Sequence, residues 1–302
     1  MPRSLRNPPA RIQAGPDQSG EITVSNEVSG SAELKTGTSL PTVSVITITY
    51  NDLDGLKRTV ESVRAQRYPG RIEHIVIDGG SGDEVIEYLS GIEPAFTYWQ
   101  SEPDGGRYDA MNQGIAHASG DLLWFLHSSD LFPDPDTVAA AVDAVAGQGS
   151  ARDVWGYGRD NLVGLGRVRS PMPFSLRKFL AGWQVIPHQA SFFGSSLVEK
   201  IGGYDVNFGV AADQEFILRA ALLRQPITIP RVLCDFDTNG IGTNRPPDVV
   251  FDDLGRMWDM HHRYPFGGRQ LSHAYIQGCK SYFRAVAYIY NRVQSRAAKK
   301  AG

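Results

Sequence analysis

The segment Val43-Ser44-Val45-Ile46-Thr47-Ile48 constrains the fold more than any other part of the chain. It is short, β-branched and nearly continuous in apolarity, the pattern of a strand buried on both faces rather than one with a wet side. Asp52 follows as a predicted N-cap, and Leu53, Leu56, Val60 and Val63 recur at helical spacing. Pro69-Gly70 breaks the chain, Ile72–Ile77 is a second strand, and Asp78-Gly79-Gly80-Ser81-Gly82-Asp83 is a loop. A helix carrying Val85, Ile86 and Leu89 and a strand near Phe96–Trp99 complete the first half. Strand, helix, strand, helix, strand with right-handed crossovers makes a doubly wound, mostly parallel sheet.

The pattern continues with a helix over Tyr108–Ala118 and a strand over Leu122–Leu126 that ends in His127-Ser128-Ser129-Asp130. Pro133, Asp134 and Pro135 are expected to start the next helix. Further on come strands near Val154–Gly158, Ala190–Phe193 and Ile227–Leu233, helices over Ser175–Ala181 and Ala212–Leu223, and a mainly helical segment from Pro247. The fold class is therefore α/β: a Rossmann-like, mostly parallel sheet flanked by helices, with a helical C-terminal segment. The expected organisation is a disordered tail over 1–40, rich in Ser, Gly, Pro and charge, a catalytic domain over 41–240 and a helical extension over 241–302. Glu21–Val28 has weak strand character within that tail.

In such sheets ligands bind outside the carboxyl ends of the strands. Those ends carry Thr49-Tyr50-Asn51, Asp78-Gly79-Gly80-Ser81, Ser101-Glu102-Pro103-Asp104 and the Asp130 turn. Asp78, Asp104, Asp109 and Asp130 make the crevice acidic. Each alone is as readily a turn former or a cap. Together they suit a diphosphate only with a divalent cation between the charges, and oxygen ligands select Mg²⁺ or Mn²⁺. Asp213 opens a helix, either as its cap or as a general base aimed at a hydroxyl.

The net charge of -3 excludes nucleic acid as the main partner. Cys234 and Cys279 are too few for a disulfide framework and are expected as reduced thiols. The N-terminus has no apolar segment, so a signal peptide is not expected. No apolar run approaches the roughly 18 residues needed to span a bilayer. The end of the chain is basic: Lys280, Arg284, Arg292, Arg296, Lys299 and Lys300 alternate with Tyr282, Phe283, Val286, Tyr288 and Ile289. That pattern fits a peripheral membrane contact as well as a helix packed on the domain.

From about Pro41 to about Thr243 the chain resembles a family-2 glycosyltransferase of GT-A fold, as found in bacterial cell-envelope glycan synthesis. The resemblance rests on ordered motifs: VSVITITYN at 43–51, VIDGGS at 76–81, SEPDGGRYDAMNQG at 101–114 and GDLLWFL at 120–126. PHQASFF at 187–193, IGGYD at 201–205 and AADQEF at 211–216 follow. It implies an inverting, metal-assisted transfer of a sugar from a nucleoside diphosphate to a hydroxyl of a glycan, lipid-linked or small-molecule acceptor. UDP is the default nucleotide, with GDP and dTDP open, and Mn²⁺ or Mg²⁺ the cofactor. The resemblance implies that Thr49, Tyr50 and Asn51 line the nucleotide pocket. Asp78 would bind the base, with Gly79 and Ser81 beside it. Asp104, Tyr108, Asp109 and Asn112 would border ribose, diphosphate and sugar. Asp130 would be the last acid of the Asp-any-Asp metal motif, Asp213 the base, and His188 a residue of the acceptor side. The two thiols and the polar N-terminus suit a cytoplasmic protein, and the basic end suits the inner face of the membrane if the protein is peripheral.

One departure stands out. Ser129 occupies the position where relatives commonly have an acid, leaving one carboxylate at the motif; Ser129 would offer only an oxygen. His127 could add a nitrogen ligand but is expected to pack near the base or ribose, and His261-His262 read as a solvated helix end rather than a late metal ligand. The competing readings are a degenerate sugar-nucleotide binder and a nucleotidyltransferase. The second lacks its Gly-rich, basic loop at Thr49-Tyr50-Asn51-Asp52, and no Gly-x-Gly-x-x-Gly follows the first strand for a dinucleotide oxidoreductase.

Overall fold

The first strand, β1 (Val43–Thr49), is buried at all seven positions. Its alternate residues serve two different cores. Val43 and Val45 pack with Leu122, Trp124, Val138 and Val142, whereas Ile46 and Ile48 pack with Met111, Phe125 and Phe193. A computed structural model describes residues 39–238 and 246–301, with the side chains of 247, 290, 291 and 293–301 outside the description. The tail and the Glu21–Val28 strand of the sequence reading lie outside the described residues.

From β1 the chain continues through α1 (Leu53–Arg64), β2 (Ile72–Asp78), α2 (Asp83–Gly91), β3 (Tyr98–Ser101), α3 (Arg107–His117) and β4 (Leu122–Phe125). The second half comprises α4 (Thr137–Val145), β5 (Trp155–Leu162), β6 (Arg167–Arg169), α5 (Leu176–Leu180), β7 (Ser191–Gly194), α6 (Ser195–Ile201), α7 (Ala212–Leu223) and β8 (Ile227–Phe236). Two helices, α8 (Pro247–His261) and α9 (Arg269–Ala301), follow. The strand order is β3-β2-β1-β4-β7-β5-β6, with β8 pairing β5. β3, β2, β1 and β4 run parallel to one another, β7 is antiparallel to β4 and to β5, and β8 is parallel to β5.

Helix positions follow from side-chain spacing. In α1, Leu56, Thr59, Val60 and Val63 are buried, and Asp52 caps the start by accepting the Gly55 N–H at 3.0 Å. Burying each such Leu or Val contributes about 1.5–3 kcal/mol. α3 reaches β1 more closely than a side chain would allow: a Cβ on Gly114 would sit 2.3 Å from Ile46 Cγ2. The start of α4 differs from the sequence expectation. Pro133, Asp134 and Pro135 stay in the loop, where the Pro135 carbonyl accepts the Arg67 N–H, and the helix opens at Thr137. Met257 and Trp258 of α8 and Ile276 of α9 belong to the same core cluster as Ile46 and Phe125. The C-terminal helices thus share the core of the sheet. Cys234 and Cys279 are both free.

Candidate active site

The carboxyl ends of β1, β2 and β4 open on one crevice. At β1, the Thr49 hydroxyl is buried without a partner, Tyr50 is exposed, and Asn51 adopts a positive φ of 53°. The Asn51 N–H donates to Ser81 Oγ at 2.7 Å, tying the first two strand ends together. At β2, the fully buried Asp78 carboxylate accepts from the Ser81 N–H at 2.8 Å, the Ser101 hydroxyl at 2.6 Å and the Ser81 hydroxyl. Gly79 is needed here for closeness: an added Cβ would meet Asp104 Oδ2 and Tyr50 Cδ2, each at 3.1 Å. Tyr50 and Asp104 therefore close in on the Gly79 backbone, where a side chain would press on both.

The third strand end leads into Gly105-Gly106 and α3. Asp104 accepts the Gly106 N–H at 2.7 Å, and Asp109 accepts the Gly105 N–H and the Gln113 side-chain N–H, each at 2.9 Å. Both acids thus shape a turn. Gly106, the N-cap, has φ 102° and no side chain to cap the first amides of α3. An uncapped helix start beside a guanidinium, here Arg107, is a setting that suits phosphate oxygens.

The β4 end carries His127-Ser128-Ser129-Asp130. Thr59 of α1 holds the turn, its hydroxyl lying 3.2 Å from the His127 carbonyl and 2.9 Å from the Asp130 carbonyl. Ser129, with φ 72°, is tied to the start of α1: its hydroxyl donates to Asp52 Oδ2 at 2.9 Å and accepts from Arg58 at 3.0 Å. Asp130 is buried, and its Oδ1 accepts the Asp237 N–H at 3.1 Å. Burial, reinforced by the carboxylates of Asp237, Asp160 and Asp52, pushes its pKa well above the usual carboxylate range. A cation would relieve that unfavourable charge. Among the described residues no three His, Cys, Asp or Glu converge as a preformed metal cage. An ion bound at this motif would have Asp130 as its one carboxylate, with waters and phosphate oxygens completing its shell, as Mg²⁺ commonly has.

The facing wall brings together residues far apart in sequence. His188 sits in a short 3₁₀ turn and pairs through Nε2 with the Tyr204 hydroxyl at 2.6 Å, while its Nδ1 is buried and unpartnered. The His127 ring lies 6.0 Å from the His188 ring, and His127 Nε2 is also buried and unpartnered. Burial holds both imidazoles near a pKa of about 3, so both are neutral. Asp213, in the first turn of α7, acts electrostatically on His127 and Tyr204. Its Oδ1 is buried without a partner, and its Oδ2 accepts only a 3.3 Å bond from Gln214. The cap of α7 is Ala211, with no side-chain bond, so Asp213 does not cap that helix.

Comparison with known proteins decides the family. The profile described as Glycosyl transferase family 2 matches residues 44–196. An uncharacterized glycosyltransferase of Mycobacterium tuberculosis is 74% identical over 245 residues, covering 81% of this chain and 94% of the relative. The chain belongs to glycosyltransferase family 2. A PGL/p-HBAD biosynthesis glycosyltransferase of Mycobacterium bovis is 32% identical over 182 residues, 59% of this chain and 69% of that protein. Among solved structures, the mannosyltransferase PcManGT of Pyrobaculum calidifontis, in complex with GDP-Man and Mn²⁺, superposes with TM-score 0.58 at 22% identity, covering 88% of this chain and 82% of that one. Residues 1–349 of S. aureus TarS, in complex with UDP-GlcNAc, superpose with TM-score 0.58 at 17% identity, covering 72% and 65%. This chain spans only 39% of the longer TarS chain. The GT-A fold expected from the motifs is the fold of these enzymes.

Within this family-2 glycosyltransferase, two residues expected at the donor are used for bracing. The Asn112 amide braces Tyr204, donating to its carbonyl at 2.9 Å and accepting its N–H at 2.7 Å. The Tyr108 hydroxyl donates to the Val210 carbonyl at 2.7 Å. His261, considered above as a metal ligand, instead bonds Glu215 at 2.7 Å, and His262 closes α8 in the left-handed region. Sequence reasoning missed Asp253, whose Oδ2 accepts the Val210 and Ala211 N–H groups at 3.0 Å each and so fixes the start of α7. It also missed Tyr204, Asp237 and Arg107; the Gly105-Gly106-Arg107 run was a readable signal for the last.

Proposed function

We propose that this glycosyltransferase moves a sugar from a nucleoside-diphosphate donor to a hydroxyl of a glycan, lipid-linked or small-molecule acceptor, with inversion at the anomeric carbon. The carrying observation is Asp213 Oδ1: a buried carboxylate oxygen without a partner, among the neutral His127 and His188 and the crevice of the strand ends. A buried acceptor left unbonded costs about 1–3 kcal/mol, a cost that the proton of an incoming acceptor hydroxyl would offset.

On this reading the crevice beside Tyr50, Gly79 and Asp104 takes the nucleoside, with Thr49, Asn51 and Ser81 at its edge and Asp78 on the base. Asp109, Gly106 and Arg107 border the diphosphate through the α3 start. Tyr108 and Asn112 hold the acceptor wall in place from the donor side. Asp213 accepts the proton of the acceptor hydroxyl as its oxygen bonds the anomeric carbon. The bond from that carbon to the phosphate oxygen breaks, and its electron pair leaves with the nucleoside diphosphate. When bound, Mn²⁺ or Mg²⁺ on Asp130, with Ser129 nearby in the motif, offsets the charge of the leaving diphosphate. Neutral His188, held by Tyr204, borders the acceptor.

UDP is the first donor to test, then GDP and dTDP. Residues 41–240 are proposed as the catalytic domain and 241–302 as a helical extension, with the enzyme in the cytoplasm at a membrane face in a cell-envelope pathway. No helix among the described residues is long and apolar enough to cross a membrane. The test is a panel of sugar nucleotides with and without Mn²⁺, following nucleoside diphosphate release in the presence of acceptor glycans. Release with one donor class supports the reading. Pyrophosphate release, or donor binding without turnover by any acceptor, overturns it.

A further inference from the structure

α9 is a helix of 33 residues with two unlike faces. One face packs on α8. There His273 bonds Asp259 at 3.0 Å, Lys280 pairs with Asp252, Arg284 pairs with Asp248 at 2.9 Å, and the Phe283 ring lies 5.7 Å from Phe251. Across the helix, Leu271, Tyr275, Tyr282, Val286 and Ile289 follow a spacing of three, four and seven residues that keeps them in one stripe. All but Tyr275 are exposed, Tyr282 by 65%. From Leu271 to Ile289 the stripe runs about 27 Å at the helical rise.

The stripe does not end at α9. The Trp183 indole N–H donates to the Tyr275 hydroxyl at 2.8 Å, and Trp183 is itself 62% exposed, with Val185 exposed beside it. These two lie in the segment that leads into His188. Gln214, next to Asp213, clamps that segment by bonding both the N–H and the carbonyl of Ile186, at 3.2 and 3.0 Å. The exposed patch ends at Val185; Ile186 and His188 beyond it are buried, so the patch adjoins the segment that carries His188.

Charge selects the occupant. α9 contains seven Arg and Lys (Arg269, Lys280, Arg284, Arg292, Arg296, Lys299 and Lys300) and no Asp or Glu. Asp259, Asp252 and Asp248 of α8 pair with the first three, and the other four follow them in sequence. α5 exposes Arg177 and Lys178 just before Trp183. Two copies meeting stripe to stripe would bring these like charges together. A bilayer with anionic headgroups attracts them, and its interface suits Trp and Tyr, whose rings are apolar and whose N–H and O–H groups stay wet.

We infer that the outer stripe of α9, with Trp183 and Val185, docks on an anionic lipid bilayer and holds the acceptor wall at headgroup level. The placement of the acceptor rests on the proposed roles of His188 and Asp213; the docking itself does not. The test uses the full chain with vesicles of phosphatidylcholine alone and of phosphatidylcholine mixed with phosphatidylglycerol, in the absence of donor and acceptor. Binding is expected to the mixed vesicles only, weakened by salt. The double variant Tyr282→Glu, Ile289→Glu should reduce binding about tenfold or more. Tyr282→Ser, Ile289→Ser and, separately, Trp183→Ala should weaken it without added charge. Thermal unfolding and nucleoside diphosphate binding should stay unchanged in all three. Wild-type protein that ignores anionic vesicles, or variants that bind as well as wild type, overturn the inference. So does a dimer in sedimentation that the Tyr282 and Ile289 variants abolish, because the stripe then belongs to a second copy. Donor turnover assayed without lipid reads the transferase separately, so either result can fail alone.

Discussion

Replacing Asp213 with Asn separates the two roles an acid can play at a helix start. Asn is as good a cap as Asp, so a capping residue would tolerate the change. A general base would not, because the amide cannot take the acceptor proton. Removing such a base costs on the order of 10²–10⁴ in rate, or about 3–5 kcal/mol of barrier. The expected effect on stability is much smaller. Asp213 Oδ1 has no hydrogen bond to lose, and Oδ2 has one of 3.3 Å from Gln214, worth about 1 kcal/mol at most. Asp213 also loses a favourable position in the first turn of α7, about 0.3–1 kcal/mol, while a partly buried charge is removed, which acts in the opposite sense. The net change should stay within about 1 kcal/mol. The assay is single-turnover transfer together with nucleoside diphosphate affinity and urea unfolding. Transfer should fall at least about a hundredfold with donor affinity and unfolding midpoint nearly constant. Transfer near the wild-type rate refutes the assignment of Asp213 as base. A loss of stability matching the loss of activity refutes the energetic argument.

Asp130→Asn should abolish the Mn²⁺ dependence of donor binding, read by calorimetry. The same variant should unfold at higher temperature than wild type in metal-free neutral buffer, because burial and neighbouring acids disfavour the ionised Asp130. Gly114→Ala places a Cβ 2.3 Å from Ile46 Cγ2 and should destabilise by about 1–3 kcal/mol in urea unfolding, although Ala favours helix in the unstrained case. His74 is buried beside Thr47 at 2.9 Å, and burial lowers its pKa from 6.5 to about 3. Its neutral form is the folded one, so the stability it permits is whole above pH 6.5 and is lost as pH falls toward 3, at up to about 1.4 kcal/mol per pH unit. His74→Gln should flatten the urea-midpoint profile over that window, and an unchanged slope would contradict the burial argument.

The strands and their ends were legible in the sequence because local periodicity and loop chemistry carry them. The apolar run over 43–48 announced burial on both faces, and the acidic strand ends announced a crevice. The start of α4 was misread because Pro133 and Pro135 suit a helix entry as well as a loop, and the Arg67 contact that keeps Pro135 in the loop is non-local.

What the sequence determined by itself was the order of elements, the family motifs and the residue types at the strand ends. Only the tertiary structure decided what each polar group has left to offer. Asn112 and Tyr108, expected at the donor, also bond Tyr204 and Val210, contacts 92 and 102 residues away that no local pattern announces. Ser129 looked like a weakened metal ligand, yet Asp52 and Arg58 claim its hydroxyl. Asp130 owes its high pKa to burial and to acids brought in by other strands and loops. His127, His188 and Asp213 share no local motif, and only folding leaves each with a buried unpartnered atom. Spacing fixes which face a residue occupies; whether a donor or acceptor is free depends on which distant groups the fold delivers to it.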